Sequence, residues 1–367
     1  MRRVVVTGVS AVTPLGRDLA ATREALSAGR SALAYVVGPD VPAGRPDHSP
    51  AARIVTFTTE PELPRSKARR LDRASQYAVV AARQALASAA YAMAGREERT
   101  GILLGTGSAG AGPLVEFERQ MAIEGPDSAS PFLFPYTVSN APASVVAIEL
   151  QIRGPNVTIT QKDPAALNAL LYARLLLEGR RADALLVGAS DEWDLEYHLA
   201  YERIHATRTA RRAGFVLGEG AAFLLVEDEE AARRRGASVK ARLASVVTRP
   251  VAVSPQLRRA DPRRLEITMR AALDEAGVTP ATVGLVHLSK NGVAETDEGE
   301  ARAMKQVFPS PPRTAAVKEA LGENPAIGAV QLALAAEELS EHPGTGAVLV
   351  NAFGAGGNFL CAVLTAP

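Results

Sequence analysis

The chain has 367 residues, 47% of them apolar, which is ample for a large buried core and, by the usual size range, for two domains. Forty-one Lys and Arg against 40 Asp and Glu leave a net charge of +1, so no bulk field favours nucleic acid or an anionic membrane, and neither is expected as a partner. The single cysteine, Cys361, excludes an internal disulfide and a multi-cysteine metal site and fits a reducing compartment.

In chain order, Met1-Arg2-Arg3 opens like a signal peptide, but Thr7-Gly8 interrupts after three valines and no apolar core follows. No run approaches the roughly 18–20 apolar residues that span a bilayer, so the expected location is the cytoplasm. Short β-branched apolar runs then recur at 4–7, 101–104, 157–160, 184–187 and 222–226, and again at 239–247, 283–288, 314–317, 347–350 and 359–364. Helix-length, Ala- and Arg-rich stretches separate them, the pattern of an α/β protein with sheets covered on both faces. Equal numbers of strands in a similar rhythm indicate an internal duplication, with halves 1–236 and 237–367. The charged segment 228–236 between them reads as a solvated helix stopped by Gly236. Pro- and Gly-rich stretches at 37–64 and 250–262 read as surface excursions. His48, His198, His205 and His342 show no metal spacing, and neither a metal nor a cofactor is expected.

Chemistry concentrates in three places. Gly154-Pro155, the run 157–160 and Gln161-Lys162-Asp163 lead into Pro164-Ala165-Ala166-Leu167-Asn168-Ala169-Leu170. On local grounds this is a helix start, with Asp163 as N-cap, Pro164 at the first helical position and the carboxylate facing the positive end of the dipole. The second place is Val286-His287-Leu288-Ser289-Lys290-Asn291-Gly292, followed by Asp297, Glu300, Ala301, Ala303, Lys305 and Phe308. The third is Val317-Lys318-Glu319-Ala320-Leu321-Gly322-Glu323.

These segments stand in order with Arg3-Val4-Val5-Val6-Thr7-Gly8, Thr13-Pro14-Leu15-Gly16, Ser130-Pro131-Phe132 before Pro135 and Asn140, Gly214-Phe215-Val216-Leu217-Gly218-Glu219-Gly220-Ala221, and Phe353-Gly354-Ala355-Gly356-Gly357-Asn358. From residue 3 to residue 358 the chain resembles the β-ketoacyl-acyl-carrier-protein synthases. The resemblance implies a thiolase-like duplicated fold, with two mixed five-stranded sheets in an α-β-α-β-α arrangement. It also implies that the family's Cys-His-His set is absent: Asp163 stands for the cysteine, Ser289 for the first histidine and Glu323 for the second. A carboxylate is a weak nucleophile toward a thioester and would give a labile anhydride. Serine and glutamate lack the neutral–charged exchange that histidine offers near pH 7. Lys318 is retained, with a structural role beside Glu323. Asp163 and Ala355 occupy the oxyanion-loop positions, Asp163 with its own charge in the donor field and Ala355 in place of the gating phenylalanine.

What the resemblance implies for function is a chain-length-factor type of subunit. Such a subunit pairs with an active ketosynthase as a heterodimer, meets acyl-carrier protein through that complex and shapes the acyl tunnel. Leu133, Ser108, Gly112 and Glu116 are the tunnel candidates. The chain departs from that class in carrying Asp163 where glutamine is the familiar replacement. Two other readings stay open: an autonomous acyltransferase or hydrolase using Ser289, with His287 or Glu323 as base, and a silent homodimeric scaffold.

Overall fold

The computed structural model describes residues 3–36, 49–251, 261–354 and 356–367. Its strands are β1 (Val4–Val12), β2 (Leu33–Tyr35), β3 (Pro50–Ala52), β4 (Thr100–Thr106), β5 (Asn156–Thr160), β6 (Ala184–Asp191), β7 (Leu217–Gly218), β8 (Gly220–Asp228), β9 (Ala241–Thr248), β10 (Val283–His287), β11 (Arg313–Ala315), β12 (Ala347–Gly354) and β13 (Asn358–Thr365). The ten apolar runs of the sequence are the ten strands of the main sheet. The short β2, β3 and β7, which carry no comparable apolar signal, form a second sheet of three.

The order of the main sheet is β11-β10-β12-β13-β9-β1-β8-β6-β4-β5. Each half repeats one plan: in β1-β8-β6-β4-β5 and in β9-β13-β12-β10-β11 the first two pairings are antiparallel and the last two parallel. The expectation of two separate five-stranded sheets needs one correction. β1 pairs with β9 through Val4↔Leu243, Val5↔Arg242 and Val6↔Ala241, so the halves are one continuous sheet. The join lies in the middle of the molecule, where unpaired N–H and C=O groups would be costly.

Alternation along the strands sorts side chains into layers. In β4, Ile102 and Leu104 join the core under the helices Arg73–Ser88 and Ala141–Leu150, whereas Leu103 faces the centre. In β13, Phe359, Cys361 and Val363 pack with the helices Pro262–Ala276 and Ala294–Val307, and Leu360, Ala362 and Leu364 face the centre. That central layer holds the helices Ala165–Glu178 and Ile327–Glu341 between the two halves. The result is the expected α-β-α-β-α arrangement. The segment after β8 is a short helix, Glu229–Arg234, capped by Asp228 and followed by Gly236 at φ +73°. Residues 37–48 and 252–260 of the two expected excursions lie outside the described residues.

Candidate functional site

β5 is an edge of the sheet, and the chain turns from it straight into the central helix Ala165–Glu178. Gly105 permits the close approach of that helix, since a Cβ there would lie 2.7 Å from the Ala165 Cβ. Asp163, in the turn, is 6% exposed. Its Oδ2 accepts a hydrogen bond from Lys318 Nζ at 2.7 Å, and both side chains are buried. The N-cap expectation is therefore corrected: Pro164 holds the cap position with no side-chain cap, and the Asp163 carboxylate points to an ammonium instead. An oppositely charged partner in a buried site outcompetes an amide dipole.

Lys318 begins the short helix Lys318–Leu321 after β11, the counterpart of β5 in the other half. Its Nζ is 2.7 Å from Asp163, 3.3 Å from Ser289 Oγ and 3.9 Å from Glu323 Oε2. All three substituted positions thus converge on this one lysine. Burial opposes its charge, but Asp163 and then Glu323 outweigh burial and hold its pKa above the ordinary value. Burial, reinforced by the Asp163 charge, pushes the Glu323 carboxyl up to about 7, and Asn291 Nδ2 donates to its Oε2.

Ser289 has no base. Its Oγ accepts from the Phe353 N–H at 2.9 Å and lies within hydrogen-bond distance of Lys318, while its own N–H donates to Glu300 Oε1 at 2.9 Å. Asn351 Nδ2 donates to the same Glu300 oxygen, and burial pushes Glu300 up to about 7. His287 is buried with both ring nitrogens unpartnered among the described residues, and burial pushes its pKa down to about 4. The His287–Ser289 pairing of the alternative reading is not formed, and β10 ends at His287, so the two-residue alternation of a strand no longer applies to Ser289.

A cavity of about 400 Å³ opens against Asp163, Asn291 and Glu323, with Phe353, Gly354 and Gly357 in its wall. Ser289 and Lys318 lie behind this surface. Ser108 is the one tunnel candidate in the cavity wall. Gly112 adjoins it, where a Cβ would stand 3.3 Å from Asp194 Oδ2 and 3.4 Å from Glu192 Oε1. Glu116 lies on the helix Ala111–Glu124, where Arg119 holds its carboxylate down at about 2. Leu133 is half-buried between Phe132 and Phe134, which are 84% and 62% exposed. Both belong to the outer surface of the single chain. Ala355 lies outside the described residues.

Sequence reasoning missed the acidic rim supplied by β6 and the residues after it. Asp191, Glu192 and Asp194 join Asp163 and Glu323 in the wall, with Lys162 as the one cation among the described lining residues. Burial raises Asp191 to about 6, although Thr106 Oγ1, Gly107 N and Ser108 N all donate to it. Burial and the nearby Asp72 raise Glu192 to about 8. The available signal was the cluster Asp191-Glu192-Trp193-Asp194 directly after an apolar strand.

The N-terminal domain of the β-ketoacyl synthases matches residues 1–232, and the C-terminal domain of the same family matches residues 243–342. The 3-oxoacyl-[acyl-carrier-protein] synthase 2 of Staphylococcus aureus is 28% identical over 328 residues, 84% of this chain and 77% of the relative. The same-named protein of Synechocystis is 29% identical over 327 residues, 84% and 77% of the two chains. Among solved structures, the ishigamide ketosynthase/chain length factor superposes with a TM-score of 0.88 at 23% identity, covering 100% of this chain and 99% of that one. A β-ketoacyl synthase from Burkholderia phymatum gives 0.89 at 22% identity with full coverage of both. The fold is the thiolase-like fold of these ketosynthases.

Proposed function

This chain belongs to the β-ketoacyl synthase family, and we propose that it acts there as a non-catalytic subunit of the chain-length-factor type. In this reading it pairs with an active ketosynthase and shapes the tunnel that holds the growing acyl chain during condensation on acyl-carrier protein. The halves 1–236 and 237–367 would be its two structural units. The observation that carries the reading is the buried Lys318–Asp163 ion pair at the nucleophile turn. A carboxylate committed to an ammonium is a poorer nucleophile still. The Staphylococcus and Synechocystis relatives are named as synthases; this chain departs from the family at the reacting centre.

Pairing has support on the outside of the molecule. β5 leaves one rim of its backbone unpaired at the sheet edge. Leu114, Met121, Ile123, Phe132, Phe134 and Val138 are large apolar residues left exposed on the helix Ala111–Glu124 and the segment 132–138. Exposed apolar residues of this size and an open edge strand are each typical of an interface. The test is co-expression with an active, Cys-His-His ketosynthase. The expected result is a one-to-one complex that makes products, with neither subunit active alone. Intact-mass analysis of the isolated chain with acylated carrier protein should show no adduct. A stoichiometric adduct on Ser289 would overturn the reading in favour of the autonomous acyltransferase.

A further inference from the structure

The chain is poor in aromatic residues, with nine Phe, seven Tyr and one Trp in 367. Six of those seventeen line the cavity beside Asp163, which twenty-six described residues enclose. Tyr197 and Tyr201 are four apart on the helix Leu195–Arg203 and so share one face of it, and Trp193, just before its cap residue Asp194, lines the same cavity. Phe215, Phe353 and Phe359 complete the set.

Five of the six rings have a ring, cation or hydrogen-bond partner. Tyr201 and Phe215 meet edge to face at 5.3 Å, and Phe353 and Phe359 do the same at 5.7 Å. Trp193 donates its indole N–H to His198 Nδ1 at 3.3 Å and carries the Arg53 guanidinium 4.2 Å over its ring. Aromatic residues of a core pack without voids. These six instead border about 400 Å³ of open space, and Tyr197 remains 39% exposed. Rings fixed in advance around a gap are pre-organised for a flat guest, which gains offset-stacked or edge-to-face contacts that a saturated chain of equal area does not.

We propose that this cavity binds a planar, conjugated acyl group, aryl or polyene, in preference to a saturated acyl chain of the same length. The inference rests on the non-catalytic reading in one respect only, that the guest is held and not turned over. Trp193 is the only tryptophan and lies in the wall, so its fluorescence reports occupancy of this cavity.

The experiment titrates the full chain with N-acetylcysteamine thioesters of sorbic, cinnamic and hexanoic acid, using calorimetry for affinity and Trp193 emission for location. The sorbyl and cinnamoyl esters are expected to bind about tenfold tighter than hexanoyl and to perturb Trp193. A sorbyl-only or cinnamoyl-only preference would assign the guest as polyene or aryl. Replacing Tyr197→Leu together with Tyr201→Leu should bring the sorbyl and cinnamoyl affinities down to that of hexanoyl. If that variant does not fold, Phe215→Leu provides the same test with a smaller drop. Equal affinities in the parent, or a preference that survives folded variants, would overturn the inference. Thioester recovered intact leaves the non-catalytic reading standing, whereas free thiol would remove that reading without touching the preference.

Discussion

Asp163→Asn removes the charge at the nucleophile turn while keeping the size of the side chain. It leaves Lys318 buried, with Glu323 at 3.9 Å as its nearest remaining carboxylate. Stranding one partner of a buried pair costs about 3–5 kcal/mol, so denaturant unfolding of the variant should show a loss of that order. Adding Lys318→Met should recover much of it, because the two effects are coupled. A loss below about 1 kcal/mol for Asp163→Asn would mean that the pair contributes little. If Ser289 and Glu323 stand at the histidine positions, as proposed, Asp163→Cys should not produce condensation, since such residues act as a unit. Product formation by that variant, free of other ketosynthase, would contradict this. Nearby, His287 has a folded pKa of about 4, below its ordinary 6.5, so the unfolded chain takes up the proton first. Its contribution is present above pH 6.5 and lost as the pH falls through 4, up to about 3 kcal/mol. His287→Leu should flatten that acid limb. Glu300, raised to about 7, has the opposite sign: its contribution is full below its ordinary 4.5 and lost as the pH rises through 7. Glu300→Gln keeps the acceptor for Ser289 N and Asn351 and should flatten the neutral limb. Urea titrations across pH 4–8 measure both slopes.

At the level of elements, the duplication explains why the site is where it is. β5 and β11 are counterparts, so the turn carrying Asp163 and the short helix carrying Lys318 arise at the same place in each half. Joining the halves through β1 and β9 brings these turns together across 155 residues of sequence. The segment with Leu133 is the complementary case, since it contributes to the outer surface and not to the cavity of the single chain. If it walls a tunnel shared with a ketosynthase, Leu133→Trp adds bulk that a packed wall cannot absorb and should shift products shorter. Leu133→Ala opens room and should lengthen or broaden them. Product mass profiles from a reconstituted pair decide this. Unchanged profiles with normal assembly would move attention to Ser108, Gly112 and Glu116.

For the whole molecule, surface and centre carry different information. Among the described residues no helix is long and apolar enough to cross a membrane. The charge balance of +1 gives no bulk attraction to any partner, so association would rest on the apolar patch and the β5 edge. A charge placed in that patch, Phe132→Lys, should weaken assembly with a ketosynthase at least tenfold while leaving the melting temperature of the isolated chain unchanged, because Phe132 is 84% exposed. Analytical ultracentrifugation of the mixed subunits measures the first effect and calorimetry the second. Unchanged assembly would place the interface elsewhere.

The sequence by itself determined the ten strands of the main sheet and their division into two similar sets, and it supplied the motif offsets on which the proposed loss of the Cys-His-His residues rests. Each of these is a local property: β-branched runs of strand length, a repeated rhythm, and residue types at fixed offsets within short motifs. Only the tertiary structure decided that the two sets form one sheet, because the β1–β9 pairing involves three residues on each side and has no sequence signature. It also decided what Asp163 does. Locally Asp163-Pro164 is a good helix cap, yet a buried ammonium 155 residues away competes for the same carboxylate and wins. The aromatic set was hidden for a related reason. Tyr197 and Tyr201 are helix residues four apart and Trp193 precedes the helix, and only the tertiary structure sets all three in the wall of one cavity.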